Sequence, residues 1–517
     1  MLTVNRTIVP GKTMRTGTSA AYRGLEEAPG EPHLTRTDLT GPLGVELRAR
    51  RAALLTIAHL TDLHLTDVES PARFEYLNRY ASDPRFRELL TMQRPQEAIN
   101  ARAIDATVAA VNAIEAGPIA GGKVDLAVMS GDAIDNAQRN ELATFFGLFA
   151  GAMVNPASGG PELESVQAPA WPDDIFWKPD GGAYGRDRFR VEYGFPHLPG
   201  VLDRAQRPFQ AAGLRVPWIG CHGNHEELCQ GVGVVNAELG ALMTAGRKAI
   251  AVGEGIDPAT ALELFIRKPQ AFMAGPTVAV TPDASRGPLG LDGFLDAYLS
   301  AGGHGFTAAN HSTGTAYHVH DTPKVRLITL DTACSAGGAD GCIDRAQLAW
   351  LEKRLAEVHM PNENRLVVIV SHHPLVTIRN ERGPEGSGGA ELLGLLHRYP
   401  NVVLWLNGHT HTNAVRPHAN REGVSVGFWE VTTSSVVDWP CQARLIEIFD
   451  AGGGRLGIAC TMIDHDGAVD PGGAMTAAEL AGLHRELAAN DPLAGAGSYR
   501  YGTAADRNVL LAVPAPF

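Results

Sequence analysis

Five strand-length apolar runs in this chain stop abruptly and are followed at once by aspartate, asparagine or histidine. They are LLTIAHL (54–60) before Asp62 and His64, and VDLAVMS (124–130) before Asp132. VPWIGCH (216–222) precedes Asn224 and His225, RLVVIVS (365–371) precedes His372 and His373, and VVLWLN (402–407) precedes His409 and His411. Uninterrupted apolar runs of this length predict buried strands. Helical patterns separate several of them, notably at 97–116, which stops before Gly117-Pro118, and at 344–358, with Asp344 as N-cap. Alternation of this kind predicts an α/β domain with much parallel sheet, whose chemistry collects beyond the carboxyl ends of the strands. A single aspartate after a strand is ordinarily a cap, and a single histidine ordinarily a packed core residue. Five such ends in one chain are not accounted for by turn chemistry. In the last of them Gly408 is expected to turn the backbone sharply. The spacing of His409 and His411 then aims two imidazoles into one space.

Every donor in this set is oxygen or nitrogen. That excludes iron–sulfur and thiolate-zinc chemistry and suits manganese, iron, zinc or cobalt. The six cysteines agree, being scattered without a CxxC; Cys334 and Cys342 are close enough in sequence to close a loop under oxidising conditions, but free thiols are expected. With 44% hydrophobic and 20% charged residues over 517, a sizeable core is expected. A net charge of −13 argues against a nucleic-acid or anionic-membrane surface, so an anionic small molecule would need a locally positive site, which metal ions supply. No apolar run is long enough to span a membrane, and the first residues hold no secretory h-region. Arg50-Arg51 ahead of AALLTIA is read as the entry to the first core strand, not an export signal, and a cytoplasmic location is expected.

The chain is expected to divide into an extended N-terminal arm (1–50), a central domain (51–465) and a C-terminal helical tail packed on it (466–517). The central domain carries irregular inserts at about 151–213 and 227–320, and the tail a helix opened by the capping box Thr476–Glu479.

The ordered series DxH, GD, GNHE, HHP and GHxH, running from Asp62 to His411, resembles the calcineurin-like metallophosphoesterases. The resemblance implies an αββα architecture, a two-sheet β sandwich flanked by helices. It implies that Asp62, His64 and His411 bind one metal ion and that Asn224, His372 and His409 bind a second. Asp132 would bridge the two, and His225 would face the substrate. The implied chemistry is hydrolysis of phosphate esters by a hydroxide bridging two divalent or trivalent transition-metal ions, with His225 and Asp132 catalytic and His225 assisting the leaving group. His373 is left between a supporting and a substrate-facing role, His222 is expected to pack, and Asp67 and Glu226 are candidates to orient ligand imidazoles.

Two departures narrow the branch. Purple acid phosphatases carry tyrosine three residues after the bridging aspartate; here that residue is Asp135, so no tyrosinate colour is expected. The phosphate-binding arginine of calcineurin-type phosphoprotein phosphatases is replaced by Asn136, which disfavours phosphoprotein substrates. The long inserts, with the flanks GEPHLTRTDL, GFWEVTTSSVVDWP, ELAANDP and DRNV, are similar to a bacterial subgroup of predicted metallophosphoesterases whose members often carry a twin-arginine signal. A phosphodiesterase is the expected activity, with a phosphomonoesterase such as a nucleotidase as the alternative and a non-catalytic binding scaffold last.

Overall fold

The computed structural model describes residues 1–40, 53–182, 185–359, 363–383, 385–420 and 425–517. Arg50-Arg51 lies outside them. Two mixed sheets stack face to face. The larger has seven strands in the order Leu34–Arg36, Val509–Pro514, Arg455–Asp464, Gln442–Asp450, Ala53–Leu60, Leu126–Met129, Trp218–Gly220. The smaller has six, in the order His318–Asp321, Val325–Thr329, Leu366–Val370, Val402–Asn407, Gly427–Thr432, Ala414–Ala419. The strands that lead to the five motifs run parallel to one another within each sheet, three adjacent in the first and two in the second, although Ala53–Leu60 is antiparallel to Gln442–Asp450 on its other side.

Alternation along each strand sorts side chains between two apolar environments. Leu55, Ile57, Leu126 and Val128 meet Val325, Leu327, Val368, Leu404 and Val431 of the other sheet in a shared core. Their neighbours Ala58, Leu60, Ala127 and Met129 face outward against the helices Asn100–Asn112, Arg139–Ala150 and Gly290–Ser300 through Ile104, Val108, Phe145 and Phe294. On the far side Ile328, Val367, Ile369 and Trp405 pack under Arg345–Glu357 and Gly389–Leu396. The result is the expected helix–sheet–sheet–helix sandwich. Each large aliphatic side chain so buried contributes about 1.5–3 kcal/mol. Because both faces are apolar, the motif strands read in sequence as unbroken runs.

Several expectations are refined. The 97–116 helix is a 3-10 turn at Glu97–Ile99 followed by Asn100–Asn112, ending ahead of Gly117. Asp344 does cap its helix, accepting from the Gln347 amide, and the Thr476–Glu479 capping box opens Ala477–Ala489. The first forty residues are more ordered than a plain arm: Arg6–Thr16 and Ala21–Pro29 form an antiparallel hairpin, and Leu34–Arg36 is an edge strand. Pro10 and the register shifts beside it, on a largely exposed ribbon, hide the strand pattern. The tail is not purely helical either: Val509–Pro514 lies between Leu34–Arg36 and Arg455–Asp464, so both chain ends build the larger sheet. The insert at 151–213 is clasped at its base by Met153–Val154 paired with Phe209–Gln210.

Candidate metal centre

The loops from both sheets converge at one edge of the sandwich. Asp62 and His64 follow Ala53–Leu60, Asp132 follows Leu126–Met129, and Asn224 and His225 open a short helical turn, Asn224–Glu227, after Trp218–Gly220. From the smaller sheet, His372 and His373 follow Leu366–Val370, and His409 and His411 follow Val402–Asn407. Asp62, His64, Asp132, His409 and His411 all have left-handed backbone, with φ of 51°, 45°, 53°, 64° and 52°. Such residues cost of order 1–3 kcal/mol each and persist only where the surroundings impose them.

Backbone bonds between the loops impose them here. The Asp62 amide donates to Gly131 O (3.1 Å), the His64 amide to Asp132 O (3.0 Å) and the Gly408 amide to His372 O (3.0 Å). The His409 amide in turn donates to the Asp62 carboxylate at 2.9 Å. Gly131, at φ 95°, leaves room that a β-carbon would fill, 2.6 Å from His372 Nδ1. Gly408 differs from expectation. It is not among the residues with positive φ; what it supplies is close approach, since a β-carbon would lie 2.2 Å from Asp62 Oδ2. The left-handed turn falls on the histidines themselves.

The imidazoles are held from outside, with their other nitrogens facing inward. His64 Nδ1 donates to Asp135 Oδ1 (3.0 Å), His411 Nδ1 to Asp438 Oδ2 (2.7 Å) and His372 Nδ1 to Ser130 O (2.9 Å). Their Nε2 atoms then carry lone pairs toward one another and toward carboxylates: His64 Nε2 to His411 Nε2 is 3.0 Å, His372 Nε2 to Asp132 Oδ2 3.0 Å, and His411 Nε2 to Asp62 Oδ1 3.2 Å. His372 Nε2 and Asn224 Oδ1 are buried without a hydrogen-bond partner. With the rings neutral, these converging acceptors repel one another unless a cation, proton or metal ion, lies among them.

Charge makes the same demand. Among the described residues Asp62 and Asp132 are buried; beyond the Thr61 hydroxyl and the amides of His409 and His225 they meet imidazoles, and neither pairs with lysine or arginine. Burial lowers the pKa of His64, yet Asp135, Asp62 and Asp132 outweigh it and raise it to about 10. His372 is likewise raised to about 9, burial being overcome by Asp132. His409, whose burial is reinforced by His373 and His372, is driven well below the usual value. A cluster of this kind calls for positive charge at its centre, and among the described residues four groups of oxygen and nitrogen donors lie close enough to hold an ion, the ligand atoms in each within 4.8 Å of one another: Asp62, His64 and His411; Asp62, Asp132 and His372; His372, His373 and His409; and His64, Asp135 and His225. Asn224 and His409 line the same cavity of about 160 Å³.

His225 sits at that cavity with Nδ1 donating to Asp135 O (2.6 Å) and Nε2 4.0 Å from Asp132 Oδ2. Burial, opposed by Asp132 and Asp135, lowers its pKa to about 4. Gly231 lies against it; a β-carbon there would be 2.2 Å from Nε2.

Of the remaining candidates, His222 packs as expected, while Asp67 and Glu226 differ. His373 makes bonds at both nitrogens, to Thr332 Oγ1 (2.9 Å) and Ala339 O (3.0 Å), while one of them lies within 4.8 Å of donor atoms of His372 and His409. His222 packs on Phe294 and bonds to Asp331 at 3.2 Å. Asp67 and Glu226 do not orient imidazoles. Asp67 meets Arg286, Ser158 and Asn140, whereas Glu226 accepts the amides of Gly223, Asp132 and Ala133 and so fixes the loop backbone. Sequence reasoning missed the groups that do the orienting. They are Asp135, itself held by Arg73, and Asp438, held by Arg94 and Arg500. Asp438 was reachable by the same strand-end rule, since it follows Gly427–Thr432 at the same edge.

Residues 191–413 match the sequence model of the calcineurin-like phosphoesterase family. That span holds Asn224, His225, His372, His409 and His411 and leaves out Asp62, His64 and Asp132. No curated protein matches the chain. Among solved structures, the chain is similar to a dimetal phosphatase from Danio rerio at 12% identity and TM-score 0.36, covering 80% of this chain and 99% of that one. A purple acid phosphatase from yellow lupin seeds matches at 10% identity and TM-score 0.31, covering 85% of this chain and 53% of that one. A 5′-nucleotidase precursor from Thermus thermophilus matches at 14% identity and TM-score 0.28, covering 80% of this chain and 54% of that one.

Proposed function

We propose that this chain, whose 191–413 region is that of a calcineurin-like phosphoesterase, hydrolyses small phosphate esters at the convergent loop edge as a dinuclear metal enzyme. The observation that carries this reading is the pair of buried carboxylates, Asp62 and Asp132, which have no lysine or arginine partner among the described residues and are faced by inward-pointing imidazole nitrogens. Asp62, His64 and His411 would hold one ion, Asn224, His372 and His409 the other, and Asp132 both. The bound ions would supply Lewis acidity toward phosphoryl oxygens and an acidified water nucleophile at neutral pH.

The chain's own residues do the rest. Asp135 and Asp438 fix the ring orientation of His64 and His411, which keeps the donor atoms in place without reorganisation. His225 gives its Nδ1 proton to the Asp135 carbonyl, so its Nε2 is the atom that meets the ester. Neutral when the cavity is empty of anion, it takes up a proton beside a phosphate and returns it to the departing oxygen; alkoxide leaving groups need this most. The cavity of about 160 Å³ admits a phosphoryl head, and its wall beyond the candidate ligands is formed by residues 88–92, Arg94, Gln230, Val232, Ala339 and Arg500.

No described helix is long and apolar enough to cross a membrane. The reading is tested with manganese-reconstituted protein on an aryl phosphodiester and its monoester counterpart. Turnover of either supports it, with the diester favoured by the sequence expectation; no turnover of either with two ions bound overturns it.

A further inference from the structure

Two arginines from opposite ends of the chain enter the same cavity. Arg94 lies just before the Glu97–Ile99 turn, and Arg500 lies in the 3-10 turn Tyr499–Tyr501 of the C-terminal segment. Both line the cavity with Asp132, Asn224, His225 and His411, and neither lies within the region that matches the family. Asp438 anchors both: Arg94 Nε donates to Oδ1 at 2.8 Å and Arg500 Nη1 to Oδ2. Arg500 Nη1 also lies 3.1 Å from His411 Nδ1.

The remaining donors are uncommitted. Both Nη groups of Arg94, and Nε and Nη2 of Arg500, make no hydrogen bond to the described residues, and the two side chains are 10% and 20% exposed. Asp438 is shared by both arginines, Asp491 acts on both, and Asp135 and Glu97 act on Arg94, so what the wall offers an anion is free N–H donors and not a surplus of charge. The other carboxylate of the wall outside the candidate ligand set, Glu88, is an exposed residue that lies near Arg379.

From this arrangement we infer that Arg94 and Arg500 form an anion clamp that selects dianionic phosphate monoesters over diesters. This rests on the phosphoesterase reading above. A monoester has three non-bridging oxygens and, with a second pKa near 6, carries a charge approaching −2 at neutral pH. A diester has two such oxygens and one negative charge. Where two oxygens face the metal side, only the monoester has a third to offer guanidinium N–H donors. Planar forks suit phosphate oxygens, and their fixation by Asp438 removes much of the ordering cost on binding. The clamp thus favours the monoester alternative over the diester expected from the sequence.

The test is calorimetric titration of manganese-loaded full-length protein with inorganic phosphate and with diethyl phosphate, for wild type, R94M and R500M, with metal content measured on each. Loss of one charge-assisted donor pair is expected to weaken phosphate binding about tenfold or more, with diethyl phosphate changed less than about threefold. R94K, which keeps the charge and loses the fork, should fall between wild type and R94M. Should R500M lose metal through His411, R94M, which reaches that ring only through Asp438, decides the matter. Equal phosphate affinity in wild type and R94M at full metal content overturns the clamp, as does equal weakening of both ligands. Failure of two-ion wild type to bind either ligand overturns the phosphoesterase reading and the clamp with it.

Discussion

Replacing Asp438 by asparagine tests whether the residues around the candidate ligands set the metal affinity. The carboxylate is fully buried and accepts from His411 Nδ1 (2.7 Å), Arg94 Nε (2.8 Å) and Arg500 Nη1. Burial alone would raise its pKa, but Arg500, Arg94 and His411 hold it well below the usual range, so it is an anion throughout the neutral region. Asparagine preserves volume while removing the charge and one acceptor. Its amide nitrogen must then face either an arginine or the His411 Nδ1 proton, donor against donor. Loss of such an orienting partner typically costs 10–100-fold in metal affinity. Buried Arg94 and partly exposed Arg500, left without this carboxylate, should also cost the metal-free protein about 3–5 kcal/mol of stability. Calorimetric manganese titration gives the first quantity and urea unfolding of chelator-stripped protein the second. A variant that binds manganese within twofold of wild type, while His411→Ala does not bind at that site, would refute the reasoning.

Other outcomes follow from the same geometry. His225→Ala should retain both ions yet lose about 10²–10⁴ in turnover on esters with alkoxide leaving groups, sparing p-nitrophenolate esters; equal loss on both excludes the proton-donor role. His484 is kept neutral by burial down to about pH 3, whereas the unfolded chain takes up a proton below about 6.5. The unfolded state therefore binds more protons as pH falls, and stability is lost from about pH 6.5 downward. By pH 5 this amounts to about 2 kcal/mol, so His484→Gln should lose correspondingly less stability than wild type between pH 7 and pH 5; parallel profiles contradict it. With Asp135 where a tyrosinate ligand would stand, and engaged by His64 and Arg73, iron-loaded protein should show no visible charge-transfer band in its absorption spectrum, and such a band would contradict this.

The convergent edge was legible because its chemistry sits at strand ends, where short-range order fixes it: a run such as Val402–Asn407 followed by His409 and His411 carries strand, turn and ligand types in a dozen residues. Which sheet each run joins was not legible, since Leu55 and Ala58 are both apolar and only the fold separates the inter-sheet face from the helix face. The N-terminal hairpin escaped because a largely exposed ribbon interrupted at Pro10 has no apolar alternation to read. The supporting groups were hidden for a different reason. Asp67 and Glu226 lie near the motifs in sequence yet bond elsewhere, and Asp135 was noticed only for the tyrosine it replaces. Asp438 follows a strand at the same edge, but its meeting with Arg94 and Arg500 spans sequence distances that no local pattern covers.

The most direct test of the metal centre is to strip the protein with chelator, reload it with manganese, and count ions per chain by mass spectrometry while following aryl phosphate hydrolysis. Wild type should bind two ions and regain turnover as they load, and Asp132→Ala should lose the bridging position and most of the activity. Full turnover by the stripped protein, or a wild-type rate in Asp132→Ala, would contradict the account.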